Sequence, residues 1–362
     1  MFYTYLPTPK IISGKFSLQD IPDHIPTGRV LLCSSKSVVQ KTEVQKLLTQ
    51  FGSNSVTVFA GVNPNPSFED INSFLPQARE FNPQILVAIG GGSVIDFTKV
   101  IGLAISNPGI KTAEDLQGVG SNLQKSIQIV AIPTTCGTGA EVTPFATIWD
   151  KVNNVKCSME HPLLRPDLVV LNGQLSSSSS HSQILFSGLD ALSHCVETLW
   201  NKHINNWSAS FAVSGLTSIL EVFPKILSGN GSDNDWQVMQ ESAMFAGMAI
   251  SQNHTAIAHA ISYPLTANFQ VPHGLACSFS IPNIWRSISA STKSELKNFD
   301  LINEAANFVD SLLLDQVIAK YVTDVDIYSV AEKMISPDRA GNFIEKIDAL
   351  WIEKLLDTFH KQ

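Results

Sequence analysis

Residues 85–100 read ILVAIGGGSVIDFTKV. An unbroken aliphatic run enters three glycines and a serine, and a helical pattern follows. A run without a polar residue has the composition of a strand buried on both faces. Gly90, Gly91 and Gly92 permit a tight turn and a close approach of backbone to a ligand. The helix that follows would offer unpaired N–H groups to an anion. The spacing is not GxGxxG, because Ile95 fills the sixth place. A strand entering a helix through glycines is nevertheless the building unit of a parallel, doubly wound sheet.

Four more short branched-aliphatic runs surround this unit: RVLLC (29–33), SVTVFA (55–60), IQIVAI (127–132) and LVVLN (168–172). Between the first two lies a helical pattern, KSVVQKTEVQKLLTQF (36–51). The alternation predicts a Rossmann-like α/β domain over residues 1–177. After LNGQLSSSSSHSQ (171–183) apolar residues recur at helical spacing, as in NEAANFVDSLLLDQVIAKYV (303–322), and strand candidates become scarce. An all-α domain is therefore expected over residues 178–362, with the serine run as an ordered junction.

Composition narrows the function. The 362 residues carry 24 Lys and Arg against 32 Asp and Glu, a net charge of −8. No dense basic run accompanies that balance, which argues against a nucleic-acid surface. The N-terminus lacks a basic and then apolar signal pattern. The most apolar window, around 85–105, is broken by glycines, Asp96 and Lys99, so no membrane association is expected. Five widely spaced cysteines without a CxxC fit free thiols in a reducing compartment, and a cytoplasmic location is expected.

Two groups of residues carry chemistry. AIPTTCGTGAEVTPFATI (131–148) follows a strand and sets Thr134, Thr135, Thr138 and Thr143 around Gly137 and Gly139. Hydroxyls and exposed amides at the carboxyl end of a parallel sheet suit the phosphates and riboses of a dinucleotide. The second group begins in FSGLDALSHCVETLW (186–200), where Asp190 and His194 are four apart on one helical face. HAISYPLTANFQVPHG (259–274) adds His259, in a helix that Pro264 should restrict, and His273, in a loop after Pro272. One carboxylate and three imidazoles suit Fe2+ or Zn2+. Tyr263 follows His259 by one turn. His254, five residues before His259, would point away from it on a continuous helix.

Together these segments resemble the iron-containing, group III alcohol dehydrogenase family. The GGGS turn with Asp96 and Lys99, PTTCGTGAEVT, GLDALSH and HAISYPLT…VPHG occur in that family's order and spacing, over nearly the whole chain. The resemblance implies the dehydroquinate synthase-like architecture of that family, with a metal in a cleft between a nucleotide-binding domain and a helical one. Its metal ligands carry over onto Asp190, His194, His259 and His273. Its cofactor contacts carry over onto Gly91, Gly92, Ser93, Asp96, Thr134, Thr135, Thr138, Thr143 and Lys156. A small aldehyde or alcohol is the implied substrate, and a homodimer is a common habit of the family.

Two positions depart from the common pattern. Many members place an acid after the first long strand, where it accepts from the adenosine ribose; here Ser35 stands there, followed by Lys36. A carboxylate would repel a 2′-phosphate and this pair would not, which favours NADP(H) over NAD(H). Tyr263 stands where common members carry a second histidine, so the proton donor is water, a ribose hydroxyl or Tyr263. The SYPLT variant is most similar to the phosphonoacetaldehyde reductase-type subgroup. Lys156, Arg165 and His254 are candidates to meet a substrate's acid group. The alternatives are a polyol dehydrogenase or a dehydroquinate synthase-like lyase of the same superfamily, and a non-catalytic nucleotide- or metal-binding protein. The complete ligand set and both cofactor loops weigh against them.

Overall fold

A computed structural model describes residues 9–15, 18–51, 55–117, 122–153 and 155–357. By internal packing they separate into two units. One holds residues up to 135 together with 139–179; the other holds 136–138 together with residues from 180 on.

The first unit is built on eight strands: β1 (Lys10–Ser13), β2 (Arg29–Ser34), β3 (Ser55–Phe59), β4 (Ile85–Gly90), β5 (Gln128–Pro133), β6 (Phe145–Asp150), β7 (Val155–Glu160) and β8 (Leu168–Leu171). Six form one parallel sheet in the order β1-β8-β5-β4-β2-β3. The all-aliphatic β4 is buried along its whole length because both sheet faces are covered. Ile85, Val87 and Ile89 face a core shared with Val44 and Leu47 of α1 (Thr42–Gln50). Leu86 and Ala88 face another, filled by Phe74 of α2 (Phe68–Phe81) and Phe97 and Ile101 of α3 (Gly92–Ser106).

The helix expected over 36–51 divides. A turn at Lys36–Val39 ends at Gln40, Lys41 is extended, and α1 then begins. Three strands were not foreseen. β1 is a four-residue edge strand on β8, and β6 and β7 form a separate antiparallel hairpin. β6 is tied to α3 by the buried Lys99, whose Nζ donates to the carbonyls of Thr143 (3.0 Å) and Phe145 (2.7 Å).

The second unit is helical. Its long elements are α4 (His181–Leu199), α5 (Asn206–Leu227) and α6 (Asp233–Asn253), followed by α7 (Ile257–Phe269) and the short α8 (His273–Ser278). The serine run is ordered: Ser180 caps α4, its hydroxyl accepting the Gln183 N–H at 3.3 Å. Asn205 and Ser232 begin α5 and α6 with reciprocal capping boxes. At Gly188 a Cβ would collide with the Phe223 ring, so only glycine lets α4 and α5 pack this closely. Helix α5 is long and apolar enough, by length and composition, to cross a membrane, as core helices can also be. Its Ala212, Leu216, Ile219, Val222 and Phe223 are buried in the core of this unit.

Candidate metal centre

Helix α4 places Asp190, His194 and Glu197 on one face by its own periodicity, at i, i+4 and i+7. Helix α7 brings His259 and α8 brings His273 to the same point. Three imidazole Nε2 atoms converge on one oxygen, Asp190 Oδ1, at 3.5 Å from His194, 3.7 Å from His259 and 3.8 Å from His273. The four residues named from sequence are thus brought together.

Backbone packing fixes the arrangement. A Cβ on Gly274 would overlap the Phe186 carbonyl and approach the Asp190 nitrogen at 3.2 Å, so α8 rests directly on the turn of α4 that carries Asp190. His273 is the first residue of α8 and not a loop residue, with Pro272 as its N-cap. Helix α7 continues through Pro264 to Phe269 and stays buried along most of its length. Proline lacks only one N–H, and packing of the rest compensates. His254 ends α6 at φ 59°, so the helices bearing His254 and His259 are distinct.

Two neighbours of the cluster were missed. Glu197, fully buried, accepts the His259 Nδ1–H at 2.5 Å and the backbone N–H groups of Ala258 (2.6 Å) and His259 (3.2 Å). With its Nδ1 proton held by Glu197, the ring can offer the Nε2 lone pair, on the atom facing Asp190, to a cation that displaces the second proton. This is the carboxylate–histidine support common behind metal ligands. The i+7 spacing from Asp190 was the sequence signal for it. Cys277, four residues after His273, puts its Sγ 3.6 Å from Asp190 Oδ1 and forms one mutually close group of donors with Asp190, His259 and His273. Burial, and then the Asp190 charge, push this thiol well above its ordinary value.

The electrostatics favour a cation. Burial alone would raise the Asp190 carboxyl, but the imidazoles of His194, His259 and His273 overrule it and hold the group well below the carboxylate range. Burial would lower His259, yet Glu197 and Asp190 lift it to about 9. His259 Nε2 is buried and makes no hydrogen bond among the described residues. A borderline N3O donor set of this kind fits Fe2+ or Zn2+.

Tyr263 lines the same cluster. Its ring is nearly parallel to His273 (centroids 6.2 Å apart, 25° between planes) and edge-on to His259 (6.4 Å, 89°). Its hydroxyl accepts the Nε–H of Arg339 at 3.3 Å.

The cofactor candidates lie mostly in the α/β unit. Gly91 is the N-cap of α3, and a Cβ there would press on Thr135 Oγ1 at 3.3 Å. Gly92 is the first residue of α3, and the Ser93 hydroxyl accepts the Asn65 N–H at 3.1 Å. The carbonyl of Gly90 accepts the Thr134 N–H at 3.0 Å, joining the two loops at the ends of β4 and β5. Asp96 is turned inward, accepting the Thr147 N–H at 2.9 Å and lying 3.6 Å from Lys99 Nζ. Thr143 is buried beside Lys99. Lys156 sits on β7 opposite Trp149, and Ser35 precedes the helical turn at Lys36–Val39. Thr138 is exposed and belongs with the helical unit, where a Cβ on the adjacent Gly137 would meet the Ser187 carbonyl at 2.8 Å. Arg165, a candidate for the substrate's acid, is buried in the α/β unit with its Nε–H on the Val142 carbonyl at 3.1 Å.

Comparison with known proteins places these features in a family. Residues 7–173 match the profile of iron-containing alcohol dehydrogenase, and residues 184–310 match the C-terminal profile of the Fe-containing alcohol dehydrogenase family. An NAD-dependent methanol dehydrogenase of Bacillus methanolicus is 30% identical over 243 residues, 67% of this chain and 63% of that protein. A phosphonoacetaldehyde reductase of Streptomyces viridochromogenes is 31% identical over 232 residues, 62% of this chain and 58% of its own length. The chain thus aligns with less than two thirds of either relative. The structure of a sulfoacetaldehyde reductase from Bifidobacterium kashiwanohense, in complex with NAD+, superposes with a TM-score of 0.86 at 22% identity, covering 100% of this chain and 98% of the other. The fold is therefore shared well beyond the aligned sequence, and the chain belongs to the iron-containing alcohol dehydrogenase family.

Proposed function

We propose that the protein is a metal-dependent reductase of small aldehydes, preferring NADP(H), with phosphonoacetaldehyde as the substrate type that its sequence favours. The observation that carries this reading is the convergence of three imidazole Nε2 atoms on Asp190 with Glu197 buttressing His259. Asp190, His194, His259 and His273 would hold the cation. When bound, the cation supplies Lewis acidity toward a carbonyl oxygen and the reduced nicotinamide supplies the hydride.

The chain's own residues do the rest. Glu197 keeps the His259 ring in the tautomer that presents Nε2. The Tyr263 hydroxyl, with a lone pair engaged by the Arg339 Nε–H, keeps its own hydrogen to donate to the alcohol oxygen as it forms. The N-terminus of α3 at Gly91 to Ser93 offers N–H groups to the cofactor's phosphates. Ser35 and Lys36 admit the 2′-phosphate of NADP(H). Likeness to the phosphonoacetaldehyde reductase, together with Tyr263 in SYPLT, supports a small aldehyde of that type.

The test is NADPH oxidation followed at 340 nm with Fe2+- or Zn2+-loaded protein and a panel of short aldehydes. Metal-dependent oxidation with at least one aldehyde is expected. Absence of turnover with every member of the panel, in either loaded form, would overturn the reading.

A further inference from the structure

Arg339 lies 76 residues from Tyr263 in sequence and beside it in space. It sits just before the 3-10 turn Ala340–Asn342, and the Asn342 side chain anchors that turn to the Thr255 carbonyl at 2.9 Å, just ahead of α7. The Arg339 side chain is 17% exposed. Its Nε donates to Tyr263 Oη, and its Nη1 donates to the Asp338 carbonyl at 3.1 Å. The acid beside it, Asp338, is 70% exposed and lies 3.6 Å away, a pairing that solvent weakens. Nη2 meets no acceptor among the described residues.

In Arg339 a permanently charged, largely buried guanidinium is held through Nε and Nη1, and Nη2 is left without an acceptor among the described residues. Nη2 is thereby open to an oxyanion, a partner that guanidinium N–H groups grip strongly. Its position restricts which oxyanion. One tyrosine ring separates it from His273 and His259, so an anion seated there and a carbonyl at the ligand cluster must belong to one short molecule.

We propose that Arg339 is the specificity-determining residue of this site and selects short aldehydes bearing an acidic head group at the end remote from the carbonyl. The shared chemistry is an oxyanion of phosphonate, sulfonate or carboxylate type. The proposal rests on the aldehyde reductase reading for its substrate, but not for its anion.

The test compares kcat/KM for phosphonoacetaldehyde and propanal, using metal-loaded protein with NADPH. Sulfoacetaldehyde and succinic semialdehyde serve as further arms that identify the acid. In wild type the ratio of acidic to uncharged substrate is expected to be well above one for at least one acid. In R339Q that ratio falls roughly 10- to 100-fold, chiefly through KM, as expected for lost hydrogen bonds to a charged group. R339K, which keeps the charge but not the fork, recovers part of it. Isothermal titration of ethylphosphonate into the same loaded proteins is the second readout, with binding to wild type and none to R339Q. A wild-type ratio near one for all three acids, or a ratio unchanged in R339Q, overturns the proposal and leaves the reductase reading intact. If no aldehyde is reduced, the reductase reading fails, and the ethylphosphonate titration alone decides whether Arg339 binds an anion.

Discussion

Replacing Glu197 by Gln tests the support behind the metal ligands without changing a ligand. The carboxylate accepts three hydrogen bonds: one at 2.5 Å from His259 Nδ1, and two at Oε1 from the Ala258 and His259 backbone N–H groups. In E197Q the amide oxygen can keep the backbone pair. The NH2 group then faces His259 Nδ1–H, and two donors cannot bond. The ring relieves the clash by moving its proton to Nε2, the atom directed at Asp190 Oδ1 at 3.7 Å. That removes the lone pair a cation needs. A hydrogen bond to a charged group contributes about 1.5–3 kcal/mol, and loss of a partner behind a ligating histidine typically lowers metal affinity about 10- to 100-fold. The two scales agree, since each tenfold is about 1.4 kcal/mol. Competition with a chromophoric chelator measures the affinity, and thermal unfolding of the metal-free proteins checks that the fold survives. Affinity within twofold of wild type would refute the role assigned to Glu197.

Other substitutions probe separate parts of the account. G274A, which adds a methyl group against the Phe186 carbonyl, should cost about 1–3 kcal/mol and lower metal affinity although no ligand changes; unchanged chelator competition would contradict it. Burial raises the Glu141 carboxyl from about 4.5 to about 7, against the pull of Lys99. A group whose pKa is raised in the folded state stabilises below its unfolded value and loses that contribution as pH rises through its folded one. Relative to wild type, E141Q should therefore gain about 3 kcal/mol between pH 4.5 and pH 8. Paired thermal unfolding at the two pH values measures it, and an equal difference at both would count against a buried, raised carboxyl. S35D should shift preference from NADPH toward NADH, because a carboxylate repels the 2′-phosphate; an unchanged ratio of kcat/KM for the two cofactors would remove Ser35 from the cofactor site.

The legible parts of the molecule are those whose determinants lie close together in sequence. Strands β2, β4 and β5 are buried on both faces and read as aliphatic runs, so their existence was plain. β1 is four residues on a sheet edge, and β6 and β7 mix buried and half-exposed positions, so neither has a clear pattern. Asp190 and His194 share a helical face at a spacing visible in one line of sequence, and Glu197 continues that face but reads as an ordinary helical acid until His259 is placed against it. Arg339 carried no local signal at all. Its neighbour Tyr263 lies 76 residues away, and only tertiary packing joins them. Arg165, attractive by position in the chain, is engaged with the Val142 carbonyl in the α/β unit.

The central claim is that Asp190, His194, His259 and His273 hold one divalent cation on which aldehyde reduction depends. The most direct measurement strips the protein with a chelator, restores Fe2+ or Zn2+ in steps, and follows bound metal and NADPH-linked aldehyde reduction in the same samples, beside H273A. The account predicts that activity rises in proportion to bound metal and saturates at one ion per chain, with H273A binding weakly and remaining inactive. Full activity in the stripped protein, or wild-type metal binding by H273A, would contradict it.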